Sequence, residues 1–384
     1  MTAHRAPPFV PALALAVWFG LGAAQADIRI GLSVPLTGPD AAFGQGQRLG
    51  AEQAVADLNR AGGVGGQRLV LVVADDAGDG KQGLAVARRF AAERVRLVVG
   101  PFNASVAGTV LPAYEEAGIV AVLPGTSVTS LTAKGLPNVF RTVPTDAEQG
   151  TRAGTYLAER HAGQHVGLVH DKSPYGRGLA EAAARVLKAK GQPEAAFETL
   201  ARGERDATAV VARLKRARVE AVYFAGLAPE AAVLLRGLRQ AGLTIPLVGS
   251  DGLRDPAFAQ GAGPAAEGTV RTQPPEPRRL PEVKGARTLR SPEADLVAPL
   301  AYAAVEVLRH GLEGARTGAD GTPDGRAVAE FLHQGRAIRT VLGELAYDAN
   351  GDLAPDPRRP AALLQVWKRT PDGRLDYAGN DVTP

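Results

Sequence analysis

The sequence predicts an α/β fold in which two doubly wound parallel-sheet lobes are joined by a multi-strand hinge. Short apolar strands alternate with helical segments, a pattern typical of parallel sheets that are covered by helices on both faces. The pattern stops at the polar, proline-containing segment 141–144 and then restarts, which indicates a second lobe. Of the 384 residues, 26 are predicted to be a signal segment, and the remaining 358 are too many for one ordinary core.

The first lobe begins with the alternating residues Ile28, Ile30, Leu32 and Val34, which predict a strand. A helix is predicted over 45–59, and the glycine-rich segment 62–66 ends it. The further predicted elements of this lobe are strands at 69–73, 95–99 and 119–123 and helices at 81–93 and 105–117.

The second lobe is predicted to begin with a helix at Asp146 and to contain strands at 166–170, 195–200, 221–224 and 246–249. The proline-rich stretch 272–281 predicts another crossing, after which helices at 296–310 and 324–334 return to the first lobe. A hairpin-like end is predicted from 342–347, the turn Asn350-Gly351 and a strand at 363–368. The predicted division is a signal peptide at 1–26, an N-terminal lobe at 27–143 plus 275–348, and a C-terminal lobe at 144–274 plus 349–384.

The N-terminus has the three parts of a secretory signal. Arg5 is followed by the apolar run 9–21 and by the small-residue triplet Ala24-Gln25-Ala26. We therefore expect a mature chain that starts at Asp27 in the periplasm; an uncleaved membrane anchor is the alternative, and the apolar run is short for it.

Composition excludes several kinds of function. The chain contains no cysteine, so thiolate metal sites, cysteine nucleophiles, disulfides and a lipid-acceptor cysteine are ruled out. Without the signal, 43 basic residues face 40 acidic ones, which predicts no nucleic-acid partner. The acidic cluster Asp75, Asp76 and Asp79 could bind a cation, but a solvated strand-to-helix loop with a helix N-cap is favoured. We expect no metal and no cofactor. The sequence shows no motif that pairs a nucleophile with a base, so we expect that the protein is not an enzyme.

The candidate binding residues follow the carboxyl ends of the predicted strands, where open α/β sheets bind ligands. The first-lobe segments are 102–105, which includes Phe102, Ala104 and Ser105, and Gly125-Thr126-Ser127; the second-lobe candidates are Leu227 and Asp251. Backbone N–H groups at a helix start can bind a carboxylate, and an acid opposite them can bind an ammonium. Phe43, Phe102 and Leu227 would shape the rest of the pocket. Small, polar loops are common in this fold, and Asp251 could simply cap its own turn.

The chain also resembles the leucine/isoleucine/valine-binding proteins of ABC importers, in matching stretches that run in order from Ile28 to about Leu353. The matching residues are Gly50-Ala51-Glu52-Gln53-Ala54-Val55-Ala56-Asp57, Asp75-Asp76-Ala77, Lys81-Gln82, Val99-Gly100, Tyr114-Glu115, Gly118-Ile119, Arg141-Thr142, Gln149-Gly150, Val169-His170-Asp171-Lys172, Tyr175-Gly176, Val211-Ala212-Arg213-Leu214-Lys215 and Ala241-Gly242-Leu243.

This resemblance implies a type I periplasmic binding protein with three crossovers, which closes around an amino acid without chemistry. It implies that Gly125 offers its carbonyl to the ligand ammonium and that Ser127 meets the carboxylate with its hydroxyl and N–H. Asp251 falls at the position of the family's acid for the ammonium, and Tyr175 falls on a pocket tyrosine. The implied partners are a small amino-acid-like ligand and an inner-membrane ABC permease complex, and the protein is expected to be a monomer.

Several positions depart from the family pattern. Ala104 stands at the position of a carboxylate-binding serine, Leu227 at that of an aromatic hydroxyl, and Phe43 at that of a rim tyrosine. Gly78 and Asn103 occupy the two expected cysteine positions. These changes bear on the ligand more than on the fold. The alternatives are an amide or another solute that is not a branched-chain amino acid, or a ligand-sensing module of the same fold.

Overall fold

The computed structural model describes residues 26–273, 292–315, 322–354 and 362–382, which form two α/β lobes, each built on its own sheet. The predicted signal peptide lies outside the described residues except for Ala26. The same holds for the stretch 274–281 of the second predicted crossing.

The first sheet has five parallel strands in the order β2-β1-β3-β4-β5. These strands are β1 (Ile28–Val34), β2 (Leu69–Asp75), β3 (Leu97–Val99), β4 (Val120–Leu123) and β5 (Val139–Arg141). The helices of this lobe are α1 (Ala41–Arg60), α2 (Gly80–Ala92), α3 (Ala104–Glu116), α4 (Thr129–Thr132), α10 (Pro292–Gly314) and α11 (Gly325–Leu332).

Helices cover both faces of this sheet. Buried residues of α1, α10 and α11 form one apolar cluster with β1, and buried residues of α2 and α3 form another on the opposite face. Gly50 lets α1 and α10 approach closely, because a Cβ there would lie only 2.0 Å from the carbonyl oxygen of Ala298. The prediction that the late helices return to the first lobe is confirmed.

The second sheet has six strands in the order β13-β10-β9-β8-β6-β7. They are β6 (Val166–His170), β7 (Ala196–Thr199), β8 (Ala221–Ala225), β9 (Leu247–Gly249), β10 (Val270–Gln273) and β13 (Leu363–Val366). Its helices are α5 (Asp146–Arg160), α6 (Pro174–Ala189), α7 (Thr208–Arg216), α8 (Ala228–Gln240) and α9 (Ala257–Ala262), with 3₁₀ turns at Asp251–Arg254 and Gly263–Ala266.

The structure corrects the predicted chain end. The predicted hairpin between 342–347 and 363–368 is wrong: β12 (Gly343–Leu345) pairs with β11 (Ile338–Thr340), while β13 runs antiparallel to β10 in the second sheet. The short strands β14 (Lys368–Arg369) and β15 (Leu375–Asp376) form a separate pair. Strands β5 and β10 were also not predicted. Both are only three or four residues long, and both contain an arginine that is fully buried, Arg141 and Arg271, so their composition hides the strand pattern.

The acidic loop after β2 is a structural element of the fold. Asp79 caps α2 by accepting from the N–H of Gln82, and buried Asp76 accepts from the Ser33 hydroxyl and the Gly78 N–H. The predicted helix cap is confirmed at Asp79, but the prediction of a solvated loop is wrong at Asp76, which is fully buried.

Candidate ligand-binding site

Two phenyl rings form the apolar side of the candidate site on the first lobe. Phe43 from α1 stacks on Phe102, which follows β3, with ring centroids 5.1 Å apart and planes at 17°. Gly125 lies under the Phe102 ring, and a Cβ at this position would come within 2.6 Å of the ring. Phe102 therefore keeps its position because residue 125 is a glycine.

The N-terminus of α3 is a candidate carboxylate anchor. Asn103 is the N-cap residue, but its side chain makes no capping hydrogen bond and donates instead to Asp40 Oδ2 at 2.7 Å. The first N–H groups of α3 therefore remain available for an anion. Ala104 is half-buried, whereas the Ser105 side chain is exposed, so Ser105 would contribute its backbone N–H rather than its hydroxyl.

The loop Gly125-Thr126-Ser127 is held in place by buried hydrogen bonds. The Thr126 hydroxyl donates to the carbonyl oxygens of Pro101 and Phe102 at 2.9 and 2.8 Å, so it ties two loops together and is not free for a ligand. The Arg141 guanidinium, fully buried, donates to the Thr126 carbonyl at 2.9 Å. Ser127 is buried, and its carbonyl accepts from the N–H of Asp146 at 2.8 Å.

Arg141 also links this loop to the hinge. Its Nε lies 2.6 Å from Asp352 Oδ1, and it donates to the Val128 carbonyl and the Thr132 hydroxyl. Burial lowers the pKa of Arg141, an effect that the charge of Asp352 opposes.

The second lobe contributes a tyrosine and an acid that contact each other. The Tyr175 hydroxyl, at the start of α6, donates to Asp251 Oδ1 at 2.5 Å. Burial and the Asp251 charge raise the pKa of Tyr175 well above its usual range. Among the described residues no backbone N–H donates to Asp251, which argues against the capping alternative. Leu227 lies beside the same turn, since a Cβ at Gly252 would be 3.0 Å from its methyl group.

A second acid lies at this site, and the sequence did not reveal it. Asp146 begins α5 directly after the first crossing and is 1% exposed. Neither carboxyl oxygen has a hydrogen-bond partner of ordinary geometry among the described residues. Burial raises the pKa of Asp146 to about 8; the Asp251 charge adds to this rise, and Ser127 and Arg141 oppose it. Asp146 is the first helical residue after Thr145. Acids are common in a first helical turn, so its position in the sequence did not identify it as a site residue.

Gln47 is a second polar group that the sequence did not reveal. It lies on the buried face of α1, and neither atom of its amide has a hydrogen-bond partner within the described ranges. Its Nε2 would be 3.0 Å from a Cβ on Gly125. The sequence of α1 does not distinguish buried Gln47 from Gln45 and Arg48, which are only partly buried.

The two lobes meet at the candidate residues. Tyr175 packs against the first-lobe cluster that contains α3 as well as against the core of its own lobe. In the part of the chain that the structure describes, no group of three or more His, Asp or Glu side chains could hold a metal ion. No described helix is both long and apolar enough to cross a bilayer.

Two doubly wound lobes that face each other across one cleft define the type I class of periplasmic binding proteins. The chain matches the family model for periplasmic binding proteins over residues 27–370, and it belongs to this family.

Similar proteins include Leu/Ile/Val-binding protein homolog 1 of Brucella melitensis biotype 1, which is 38% identical over 371 residues, 95% of this chain and 97% of the relative. An ABC transporter substrate-binding protein from Desulfitobacterium hafniense, solved in complex with Leu, is 26% identical with a TM-score of 0.69, covering 92% of this chain and 100% of that one. A solute-binding protein of Rhodopseudomonas palustris HaA2, solved with p-hydroxybenzoic acid, is 18% identical with a TM-score of 0.76, covering 93% and 97%.

The two positions expected to be cysteine are neighbours in the structure. A Cβ on Gly78 would lie 3.2 Å from the Asn103 side-chain oxygen. Asn103 instead donates a hydrogen bond to Asp40, so this chain uses the position for a polar contact.

Proposed function

We propose that this protein is the periplasmic substrate-binding component of an ABC importer, and that it binds a small amino acid, branched-chain or of a related aliphatic type, by hinge closure and without catalysis. The observation that carries this proposal is a pair of acids where the lobes meet: Asp251 bonds Tyr175, and buried Asp146, which feels the Asp251 charge, donates its N–H to the Ser127 carbonyl. Closure buries the ligand, and a buried ammonium needs an anionic partner.

Each part of an amino acid has a matching group in the proposed arrangement. The carboxylate is bound by the first N–H groups of α3 at Ala104 and Ser105 and by Ser127. The ammonium is bound by the Gly125 carbonyl and Asp251, and Tyr175 orients the Asp251 carboxylate.

The side chain of the ligand is proposed to meet the apolar part of the cleft. Phe43, Phe102 and Leu227 supply this surface, and Leu227 offers no hydroxyl to a ligand. Such a surface favours an aliphatic group over a polar one.

A ligand without an ammonium is a specific alternative, because a protein of the same fold is solved with p-hydroxybenzoic acid. A benzoate would supply no cation to Asp251 or to buried Asp146, which lacks a hydrogen-bond partner of ordinary geometry among the described residues. The acid pair therefore favours an amino acid.

The relatives support the transport role. The curated relative is named as a Leu/Ile/Val-binding protein homolog, and the Desulfitobacterium protein is an ABC transporter component solved with Leu. The proposed partner is an inner-membrane ABC permease complex, to which the protein would deliver its ligand as a monomer.

The proposed mature protein begins at Asp27 after cleavage of the signal peptide. The proposed lobes are 27–143 plus 275–348 and 144–274 plus 349–384, with rotation at the crossings.

The test is a thermal-shift screen of the purified mature protein against a panel of amino acids and short aliphatic amides. A ligand that binds only the folded state, present at 100 times its dissociation constant, stabilises it by about 2.7 kcal/mol. The expected result is a stabilisation by aliphatic amino acids. Stabilisation by amides alone, or by no member of the panel, would contradict the proposal.

A further inference from the structure

An ion pair joins the two lobes, and its acid also accepts a hydrogen bond from Asn103, the N-cap of α3. Arg202 Nη2, in the loop after β7 of the second lobe, lies 2.9 Å from Asp40 Oδ1, directly before α1 of the first lobe. The Arg202 side chain is 39% exposed and that of Asp40 only 12%. This is a contact between lobes that a hinge motion must form or break.

The chemistry around Asp40 indicates that its carboxylate serves this contact. Asp40 is the N-cap residue of α1, a position at which aspartate usually bonds its own helix, yet it makes no capping hydrogen bond. Its two oxygens accept instead from Arg202 and from Asn103 Nδ2. Asn103 thus holds the carboxylate turned towards the opposite lobe.

The contact lies far from the hinge. The first crossing leaves the β5 edge of the first sheet, and β10 and β13 lie at one edge of the second. With strands about 4.8 Å apart, β1 is roughly 14 Å from β5, and β7 is roughly 19 Å from β10. A rotation of about 15° moves groups at this distance by roughly 4 Å, enough to separate the pair.

From this geometry we infer that Asp40 and Arg202 form a latch across the mouth of the cleft, which sets ligand affinity by stabilising the closed clamp without touching the ligand. The inference about affinity rests on the proposed function; the inference about closure does not. Asp171 and Glu230, on the same lobe as Arg202, add to the effect of Asp40 in raising the pKa of Arg202 against the effect of burial. When the clamp opens, the Arg202 guanidinium therefore remains near the negative charges of Asp171 and Glu230, which belong to its own lobe.

Arg213→Gln is a matched control. Arg213 pairs with Glu198 at 2.5 Å, with side chains 38% and 20% exposed, but both residues belong to the second lobe. Arg202→Gln and Arg213→Gln remove the same group from pairs of similar exposure. Only the first pair crosses the cleft.

The readout that needs no ligand is the distribution of distances between two spin labels, one on each lobe, measured by double electron–electron resonance. The chain contains no cysteine, so labels attach only at introduced positions, and Lys81→Cys and Arg205→Cys place them on exposed residues of the two lobes. We expect Arg202→Gln to lower the ratio of closed to open molecules about threefold to tenfold, and Arg213→Gln to leave it unchanged. Indistinguishable distributions in all three proteins would refute the latch.

The second readout is affinity for L-leucine by calorimetry. We expect Arg202→Gln and Asp40→Asn each to weaken binding about threefold to tenfold, and the double variant to be no weaker than either one. High salt should remove the difference from wild type, because screening weakens a partly exposed pair. Additive losses would overturn the pairwise latch. If wild type binds neither leucine nor any other amino acid, the proposed function fails, and the latch is decided by the distance measurement alone.

Discussion

Asp251→Asn tests the assignment of the ammonium partner. The Asp251 side chain is half-buried, and it accepts a hydrogen bond from the Tyr175 hydroxyl. An asparagine oxygen can accept the same bond, so the substitution removes the charge and keeps the local structure. We therefore expect little change in the melting temperature of the ligand-free protein.

The expected loss of affinity follows from the charge pair. Removing one member of a buried charge pair costs about 2–5 kcal/mol, and because Asp146 remains as a second acid we expect the lower part of this range. A loss of about 2–3 kcal/mol corresponds to roughly 30-fold to 150-fold weaker binding.

The assay is calorimetric titration of L-leucine into wild type, Asp251→Asn and Asp79→Asn. Asp79 caps α2 in another loop, and asparagine is an equally good cap, so this control removes one negative charge without touching the site. Affinity of Asp251→Asn within threefold of wild type would withdraw the assignment. A fall in the ligand-free melting temperature would show instead that Asp251 is structural.

Three further predictions concern neighbouring residues. At pH 7, leucine binding should release a proton, because the ligand ammonium stabilises ionised Asp146; calorimetry in buffers of different ionisation enthalpy measures this release, and Asp146→Asn should abolish it. Gly125→Ala should displace the ring beside it and weaken leucine binding about tenfold, whereas Gly108→Ala, whose nearest neighbour would be 3.8 Å away, should not. Arg141→Met should cost about 3–5 kcal/mol in urea unfolding, because it leaves a partly buried carboxylate unpaired, against less than about 1 kcal/mol for Arg29→Met in an exposed pair.

The pKa of Asp146 also fixes the sign of the pH dependence. Its folded-state pKa of about 8 lies above that of an unfolded aspartate, about 3.9, so the folded protein binds this proton more tightly. Its contribution to stability is complete below about pH 4 and is lost as the pH rises to about 8. Leucine affinity should change in the opposite direction and rise over the same interval. A buffer-independent binding enthalpy, or affinity that falls over this interval, would refute the role of Asp146.

The other two predictions fail under simple outcomes. Equal leucine affinity in both glycine variants would mean that the ring beside Gly125 does not shape the site. Equal unfolding free energies for the two arginine variants would mean that buried Arg141 does not hold the hinge and the loop together.

The sequence predicted the two-lobe fold because most strands of the sheets are buried on both faces and therefore read as continuous apolar runs. Val166–His170 was predicted with its observed bounds for this reason. Prediction failed where burial and polarity conflict. β5 and β10 each contain a fully buried arginine. Such a charge needs a partner to be buried, and the partner is distant in sequence, as Asp352 is for Arg141.

The candidate site was predictable only in part, for a similar reason. Residues directly after strands, such as Gly125 and Asp251, could be found because strand ends share one edge of a sheet. The contact between Tyr175 and Asp251 required the family resemblance, since 76 residues separate the two in sequence. Asp146 and Gln47 reach the site from helices, where their neighbours hide them, and the exposure of Ser105 depends on the helix orientation.

The central claim is that the clamp recognises both charged groups of an aliphatic amino acid, and titration of three related ligands tests it most directly. L-leucine carries both groups, 4-methylpentanoate lacks the ammonium, and 3-methylbutylamine lacks the carboxylate. The expected result is that leucine binds and that each truncated ligand binds at least about 30-fold more weakly, because one of the proposed charge contacts is lost. Binding of 4-methylpentanoate as tightly as leucine would contradict the claim, since Asp146 and Asp251 would then have no role in recognition.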